Sequence, residues 1–358
     1  MPRSAAWPAL AAATAVAALA LDRAGLPSAT LFAALVVGLL VALRRPGRFE
    51  VGASPFGVAQ AVTGVTLGCY LQSDSLSALA DAWLPVTLVS AATLLLCLLA
   101  GHVMAKVTDV DEPTAALGMV AGGASGIVTM ARELGADDRV VAFMQYARVL
   151  LIVLATPLLV ALFFPGEHAA ATAVTGDGPF LGTPLDWGAT AAVALLGAVA
   201  GRLGRLPAGL LLGPLLLGAA LTLSLPDDSF AVPPLARECA FAVIGLQVGL
   251  RFTVETLRQL GRLLLPVVVS VVVLVLACFG LAAVLHATTH ASLLDAYLAT
   301  TPGGLYAVLA AAVGTGADTT FVVAVQSLRL LVMVLLAPYA VRLLLHARGR
   351  VRERVRLP

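Results

Sequence analysis

Long apolar runs recur from end to end of the chain, the clearest being Trp83 to Ala105, Val140 to Phe164, Leu263 to Leu285 and Phe321 to Leu345. Several reach the ~17 to 25 residues a helix needs to cross a hydrocarbon core. Such runs leave few folds open, because backbone N–H and C=O groups in a bilayer must be satisfied without water, and helices do this within each segment. Of the 358 residues, 60% are hydrophobic and only 12% charged, whereas a soluble domain carries about 25%. No stretch is long and polar enough for a soluble domain. The expectation is an all-α polytopic membrane protein, which excludes a soluble enzyme or a DNA-binding domain.

The chain also repeats itself. Sliding it by 181 residues aligns its halves without a gap, and thirteen of forty positions match between Met119–Leu158 and Thr300–Tyr339. The matches include Gly122/Gly303, Gly123/Gly304, Gly135/Gly316, Ala136/Ala317, Asp137/Asp318, Gln145/Gln326, Arg148/Arg329 and Pro157/Pro338. Chance pairing of apolar residues does not supply a shared Gly-Ala-Asp triplet and a Gln-x-x-Arg pair in one register. The same offset pairs Gly64 with Gly245, Gly68 with Gly249, Pro85 with Pro266 and Cys97 with Cys278. Each half therefore holds six apolar segments, in an N-terminal membrane repeat (1–164) and a C-terminal one (186–345). A linker (165–185) joins them, and a basic tail (346–358) follows. The first run, Ala5 to Leu21, has the look of a signal peptide, but it corresponds to Trp187 to Leu203 and is read as a mature helix.

Segment five of each half is rich in residues that interrupt helices: Gly118, Gly122, Gly123 and Gly126 in the first, Pro302, Gly303 and Gly304 in the second. It either crosses as a broken helix or dips in and returns, and the basic residues favour return. Lys and Arg accumulate on the cytoplasmic side. With five crossings per half, a re-entrant segment five and the N-terminus inside, Arg44, Arg45, Arg48, Arg251, Arg258 and Arg262 share that side with the arginine-rich C-terminus. Only Arg23 and Arg237 fall outside. An odd number of crossings inverts the second half relative to the first, an architecture common among secondary transporters. The expected place is the inner membrane, with both termini cytoplasmic.

The candidate substrate-binding residues lie on the two glycine tips and on the helices that follow them. The tips contribute Gly122, Gly123, Ser125 and Gly126, then Thr301, Pro302, Gly303, Gly304 and Tyr306. Their small residues let a backbone or a substrate approach closely, with Thr129 a further hydroxyl; the alternative is close helix packing. Gln145, Arg148, Gln326 and Arg329 sit on the next helices. Each Arg is about 13 Å into its helix, where a charge is costly and marks a functional site by default. Three roles are open to it: satisfying carbonyls released by the re-entrant loop, binding an anion, or pairing with a carboxylate. Gln in place of either Arg is expected to abolish activity while leaving the chain inserted. Asp137 and Asp318, just before long helices, are expected to be N-caps. His286 and His290 are four apart, but with no third ligand near they are read as polar residues at a helix end rather than a metal site. No cofactor is expected. Cys69, Cys97, Cys239 and Cys278 lack disulfide or zinc spacing.

The duplicated Gly-Gly region, Arg132-Glu133-Leu134-Gly135-Ala136-Asp137, Thr301-Pro302-Gly303-Gly304-Leu305 and the two Gln-x-x-Arg pairs resemble the AbrB membrane protein family, also labelled ammonia monooxygenase-like or AidB regulator. The similarity covers nearly the whole chain. The resemblance implies a link to regulation of gene expression, expected to be indirect since nothing here forms a DNA-reading domain. The monooxygenase label finds no cluster of metal ligands. One departure is Ala121 where the second half has Pro302, so the tips need not work identically. The layout of five spans and a glycine-tipped loop is also similar to bacterial glutamate and citrate symporters, an analogy of fold alone. The functions to weigh are a secondary transporter or exporter of a small metabolite, anions included, then a membrane-embedded ligand sensor, then a membrane enzyme, with no enzyme expected. The implied partners are a small-molecule or ion substrate and the lipid bilayer, with a homodimer left open and no direct nucleic acid.

Overall fold

The computed structural model describes residues 3–24, 29–45, 47–69, 81–122, 127–128, 131, 134–164, 180–206, 209–224, 231–252, 254–303, 305–330, 332–333, 336–337, 339 and 341. Most of the expected linker and the whole basic tail lie outside them. Among the described residues the fold is all-helical. In the first half the helices are α1 (Arg3–Arg23), α2 (Ala29–Arg44), α3 (Ala53–Cys69), α4 (Trp83–Val107), α5 (Glu112–Met119) and α6 (Asp138–Phe163). The second half contains α7 (Pro184–Leu203), α8 (Gly209–Ser224), α9 (Pro234–Gly249), α10 (Val254–Thr288), α11 (Leu293–Thr300), α12 (Leu305–Thr315) and α13 (Thr319–Leu330).

Four of these are long and apolar enough to cross a membrane: α4, α6, α7 and the Leu260–Thr288 part of α10. Their outward faces are apolar too. Leu84, Leu88, Leu95 and Leu99 of α4 are exposed, as are Leu265, Val269, Val272, Val273 and Leu276 of α10. Water would not tolerate such stripes on a monomer, whereas lipid tails match them. The chain is a membrane protein. Buried hydroxyls conform, since Thr63, Ser90, Thr93 and Thr156 each donate to the carbonyl four residues back in their own helix.

α10 runs to 35 residues and carries Arg258 and Arg262 inside the helix, where the sequence reading has them in a loop. A helix does not have to stop where its apolar stretch does. Outside the apolar stretch its first turns can be polar and solvated.

The helices sort into two bundles, each drawing on both halves. In one, α1 packs on α2, α2 on α9, α9 on α3, α3 on α8 and α8 on α7. In the other, α10 packs on α4, α6 and α11, with α5 between α4 and α6 and α12 against α6. The packing is reciprocal: α2 lies on α9 as α8 lies on α3. Glycines make that approach possible. A Cβ on Gly64 would fall 2.3 Å from the Leu211 carbonyl oxygen, and one on Gly245 would fall 2.3 Å from that of Leu31. These pairs correct the ungapped offset. α3 and α9 are related by 181 residues, but Leu31 answers to Leu211 and Gly38 to Gly218, a spacing of 180.

The Gly-Ala-Asp triplets mark a stop followed at once by a start. Gly135 and Gly316 have φ of +71° and +69°, the left-handed conformation that ends a helix. Behind them Ala136 N–H donates to Ala131 O and Ala317 N–H to Ala312 O. The aspartates then cap the next helix: Asp137 accepts from Arg139 N–H and Val140 N–H, and Asp318 from Phe321 N–H.

Each segment five ends where it began. Asp137 N–H donates to Thr114 Oγ1 (2.9 Å) at the start of α5, and Asp318 N–H donates to Asp295 Oδ1 (2.7 Å) at the start of α11. Asp295 belongs to a capping box with Ser292. The eight-residue α5 and α11 reach only about 12 Å each. Both segments are hairpins that return to their own starting points.

Candidate functional site

At the inner end of each hairpin the chain leaves the helix and its carbonyls lose their partners. After α5, Val120 and Ala121 continue without helical structure, and after α11 Thr301 and Pro302 do the same. The long helices that follow, α6 and α13, supply what is missing. Gln145 donates through Nε2 to the carbonyls of Leu117 (2.6 Å) and Val120 (2.9 Å). Arg148, one turn on, donates through one terminal nitrogen to Met119 O (2.9 Å) and Val120 O (3.0 Å), and through the other to Gln145 Oε1 (2.7 Å). The second half repeats this set. Gln326 donates to Leu298 O (2.7 Å) and Thr301 O (3.4 Å), and Arg329 donates to Thr300 O (3.3 Å), Thr301 O and Gln326 Oε1. Both glutamines are fully buried, and the arginines are 2% and 4% exposed.

Of the three roles left open for the arginines, satisfying the released carbonyls is therefore filled. Charge-assisted hydrogen bonds of this kind are worth about 1.5–3 kcal/mol each. No carboxylate pairs with either guanidinium among the described residues. One nitrogen per side has no acceptor: the Nε of Arg148 and the Nε of Arg329 are buried without a hydrogen-bond partner.

The hairpins meet. A Cβ on Gly303, at the tip of the second, would stand 3.0 Å from Nε of Arg148 and 3.4 Å from Cδ1 of Ile152, both on the α6 that follows the first hairpin. Arg329 holds the carbonyls of Thr300 and Thr301, two residues before the Gly303 that faces Arg148. The Cys97 thiol contacts the backbone of Ala121, and the Cys278 carbonyl accepts from Thr300 Oγ1 at 3.2 Å. The paired cysteines of α4 and α10 thus wall the meeting point; both are free thiols.

Of the residues expected at the site, Gln145, Arg148, Gln326, Arg329, Thr301, Pro302, Gly303 and Gly122 are buried at or beside the hairpin tips. Thr301 is occupied, donating its hydroxyl to Tyr297 O. Gly123, Ser125, Gly126, Thr129 and Gly304 lie outside the described residues, and Tyr306 is placed only by its backbone in α12. His286 is not near the tips; its Nδ1 is 2.8 Å from the Ala291 carbonyl oxygen at the end of α10.

Sequence comparison points the same way. The family model described as "Transition state regulatory protein AbrB" matches residues 30–345. The chain belongs to the AbrB family. A similar relative is the Escherichia coli (strain K12) protein named "Putative regulator AbrB", 33% identical over 88% of this chain and 90% of its own length. The Bacillus subtilis (strain 168) "Uncharacterized protein YhjN" is 29% identical over 93% of this chain and 92% of its own. For this AbrB-family chain the matched region takes in both hairpins, both buried arginines and the helices from α2 onward.

Proposed function

We propose that this AbrB-family protein is a secondary transporter or exporter of a small metabolite, with its site where the two hairpin tips meet. The observation that carries the proposal is the approach of Gly303, on the second hairpin, to Arg148, in the helix after the first. Irregular backbone and ionised side chains at membrane depth persist only where protein covers them or a pathway needs them. Two broken segments meeting near the midplane between repeats is how many transporters build a substrate site.

The hairpins support a re-entrant topology. Counting each as re-entrant leaves five crossings per half and opposite orientations for the repeats, so one hairpin enters from each side of the inner membrane. The termini lie in the cytoplasm. Trp7, Trp83 and Trp187, all exposed near helix starts, suit the interface belts where indoles gather. The hairpin-bearing bundle and the α1–α3/α7–α9 bundle touch mainly where α2 and α9 meet α6 and where α9 meets α12. That seam is available for one bundle to rock against the other and expose the site alternately. An effect on gene expression, such as the family's description implies, would follow indirectly from the level of the transported metabolite. The protein itself needs no nucleic acid or cofactor for this.

The test is counterflow: purified protein in liposomes preloaded with a pool of metabolites should accelerate uptake of at least one labelled member well above empty liposomes. Arg148→Gln and Arg329→Gln should reduce that uptake to background while remaining inserted. Saturable ligand binding with no counterflow in either direction would replace transport with sensing.

A further inference from the structure

We infer that the two buried arginines form a receptor for a small oxyanion, each offering its unused Nε–H. The inference deepens the transporter reading by naming the chemistry of what the site takes. The partners of Arg148 and Arg329 are backbone carbonyls and glutamine amides, all neutral. They satisfy hydrogen bonds but leave both charges uncancelled, and a guanidinium keeps its proton in any protein setting. Two buried like charges near one another repel, a cost that a bound anion relieves. Among the described residues the only fully buried acid is Asp295, and both its oxygens are taken by backbone N–H groups of Asp318 and Ser292 at the base of the hairpin.

The free donors are placed to be used. Both Nε atoms are buried and unpartnered. Beside Arg148, Gly303 has no side chain to press on Nε; a Cβ there would sit 3.0 Å away. Each terminal nitrogen already holds a protein acceptor, so what each arginine has left to offer centres on its Nε–H. Each contributes from its own side. A compact group with diverging oxygens suits that arrangement, whether a carboxylate or an inorganic oxyanion. A cation meets two positive charges, and a neutral ligand leaves them unrelieved.

The experiment is thermal unfolding of the full chain in detergent, with acetate, succinate or phosphate against chloride at equal ionic strength, and with glycerol and choline as neutral and cationic controls. At least one oxyanion should raise the midpoint saturably, by about 3–5 °C near a hundredfold excess over its Kd. Arg148→Gln and Arg329→Gln should lose that response. Should those variants fail to fold, the wild-type protein answers alone. N-ethylmaleimide alkylation of Cys97 and Cys278, resolved by peptide mass, should slow in the stabilising oxyanion, while Cys69 and Cys239 react unchanged. Equal stabilisation by chloride or the controls, a response that survives both substitutions, or unprotected Cys97 and Cys278 would each overturn the oxyanion site. Oxyanion binding without counterflow upholds the site and removes transport. Counterflow of a cation or neutral compound with no oxyanion effect removes the site and upholds transport.

Discussion

Arg148 and Arg329 hold together a piece of chain that has no other reason to stay in place. With Met in place of Arg148, Met119 O and Gln145 Oε1 lose their donor, although Val120 O keeps Gln145. At about 1–3 kcal/mol for each buried group left unsatisfied, Arg148→Met should lower stability by about 2–6 kcal/mol, read as a drop in the thermal or SDS unfolding midpoint. Lys keeps one donor for the carbonyls but cannot also reach Gln145, so Arg148→Lys should fall between the two. The Gly-Ala-Asp glycines give a cleaner test. Space around Gly135 is open, so Gly135→Ala has nothing to strike. Its left-handed φ alone should cost about 1–2 kcal/mol, with an equal effect at Gly316. These positions were legible in the sequence because their own backbone demands one residue type, and duplication repeats the demand. Thr114 and Asp295 were not legible. Each only has to present an oxygen to an N–H 23 residues away, so Thr and Asp serve alike and leave no identity to find.

At the scale of elements, the tightest cross-half packing runs through glycines that face backbone. A Cβ on Gly64 or Gly245 would strike a carbonyl oxygen at 2.3 Å, a neighbour that cannot rotate away as a side chain would. Gly64→Ala and Gly245→Ala should therefore each force α3 from α8, or α9 from α2, and cost about 1–3 kcal/mol. Gly280→Ala in α10, with nothing within 4 Å, should be neutral or slightly stabilising. Unfolding midpoints of the three variants under one condition decide it, and a loss at Gly280 equal to that at Gly64 would remove backbone contact as the cause. The sequence showed these glycines as matched pairs but not what they touch, because partners in the other half leave no local trace. It also hid the one-residue change around α2. Leucine-rich helices match almost as well at 180 as at 181, and only the reciprocal contacts separate the two. Hairpin return was readable from arginine placement, and the Asp137–Thr114 and Asp318–Asp295 bonds give its physical means.

For the whole molecule, orientation is the quantity on which the transport reading turns. On the proposed topology, two hairpins returning to their starting points leave an odd number of crossings per half, and the second half then enters the membrane from the opposite face. Arg48, after α2, and Arg258, early in α10, stand in different halves and at non-equivalent points of the repeat. Inverted halves put both in the cytoplasm, whereas parallel halves put them on opposite faces. Single cysteines at 48 and 258, in a background lacking the four native thiols, should therefore both resist a membrane-impermeant maleimide in intact cells and react once the membrane is opened. A cysteine at 23, the last residue of α1, should react in intact cells. Reaction of 258 in intact cells while 48 stays protected would make the halves parallel. The hairpins would then enter from one face, and the approach of Gly303 to Arg148 could not be a meeting of opposed tips. The arginine distribution argues against that outcome, since parallel halves would place one of the two arginine clusters outside against the cytoplasmic preference for basic residues.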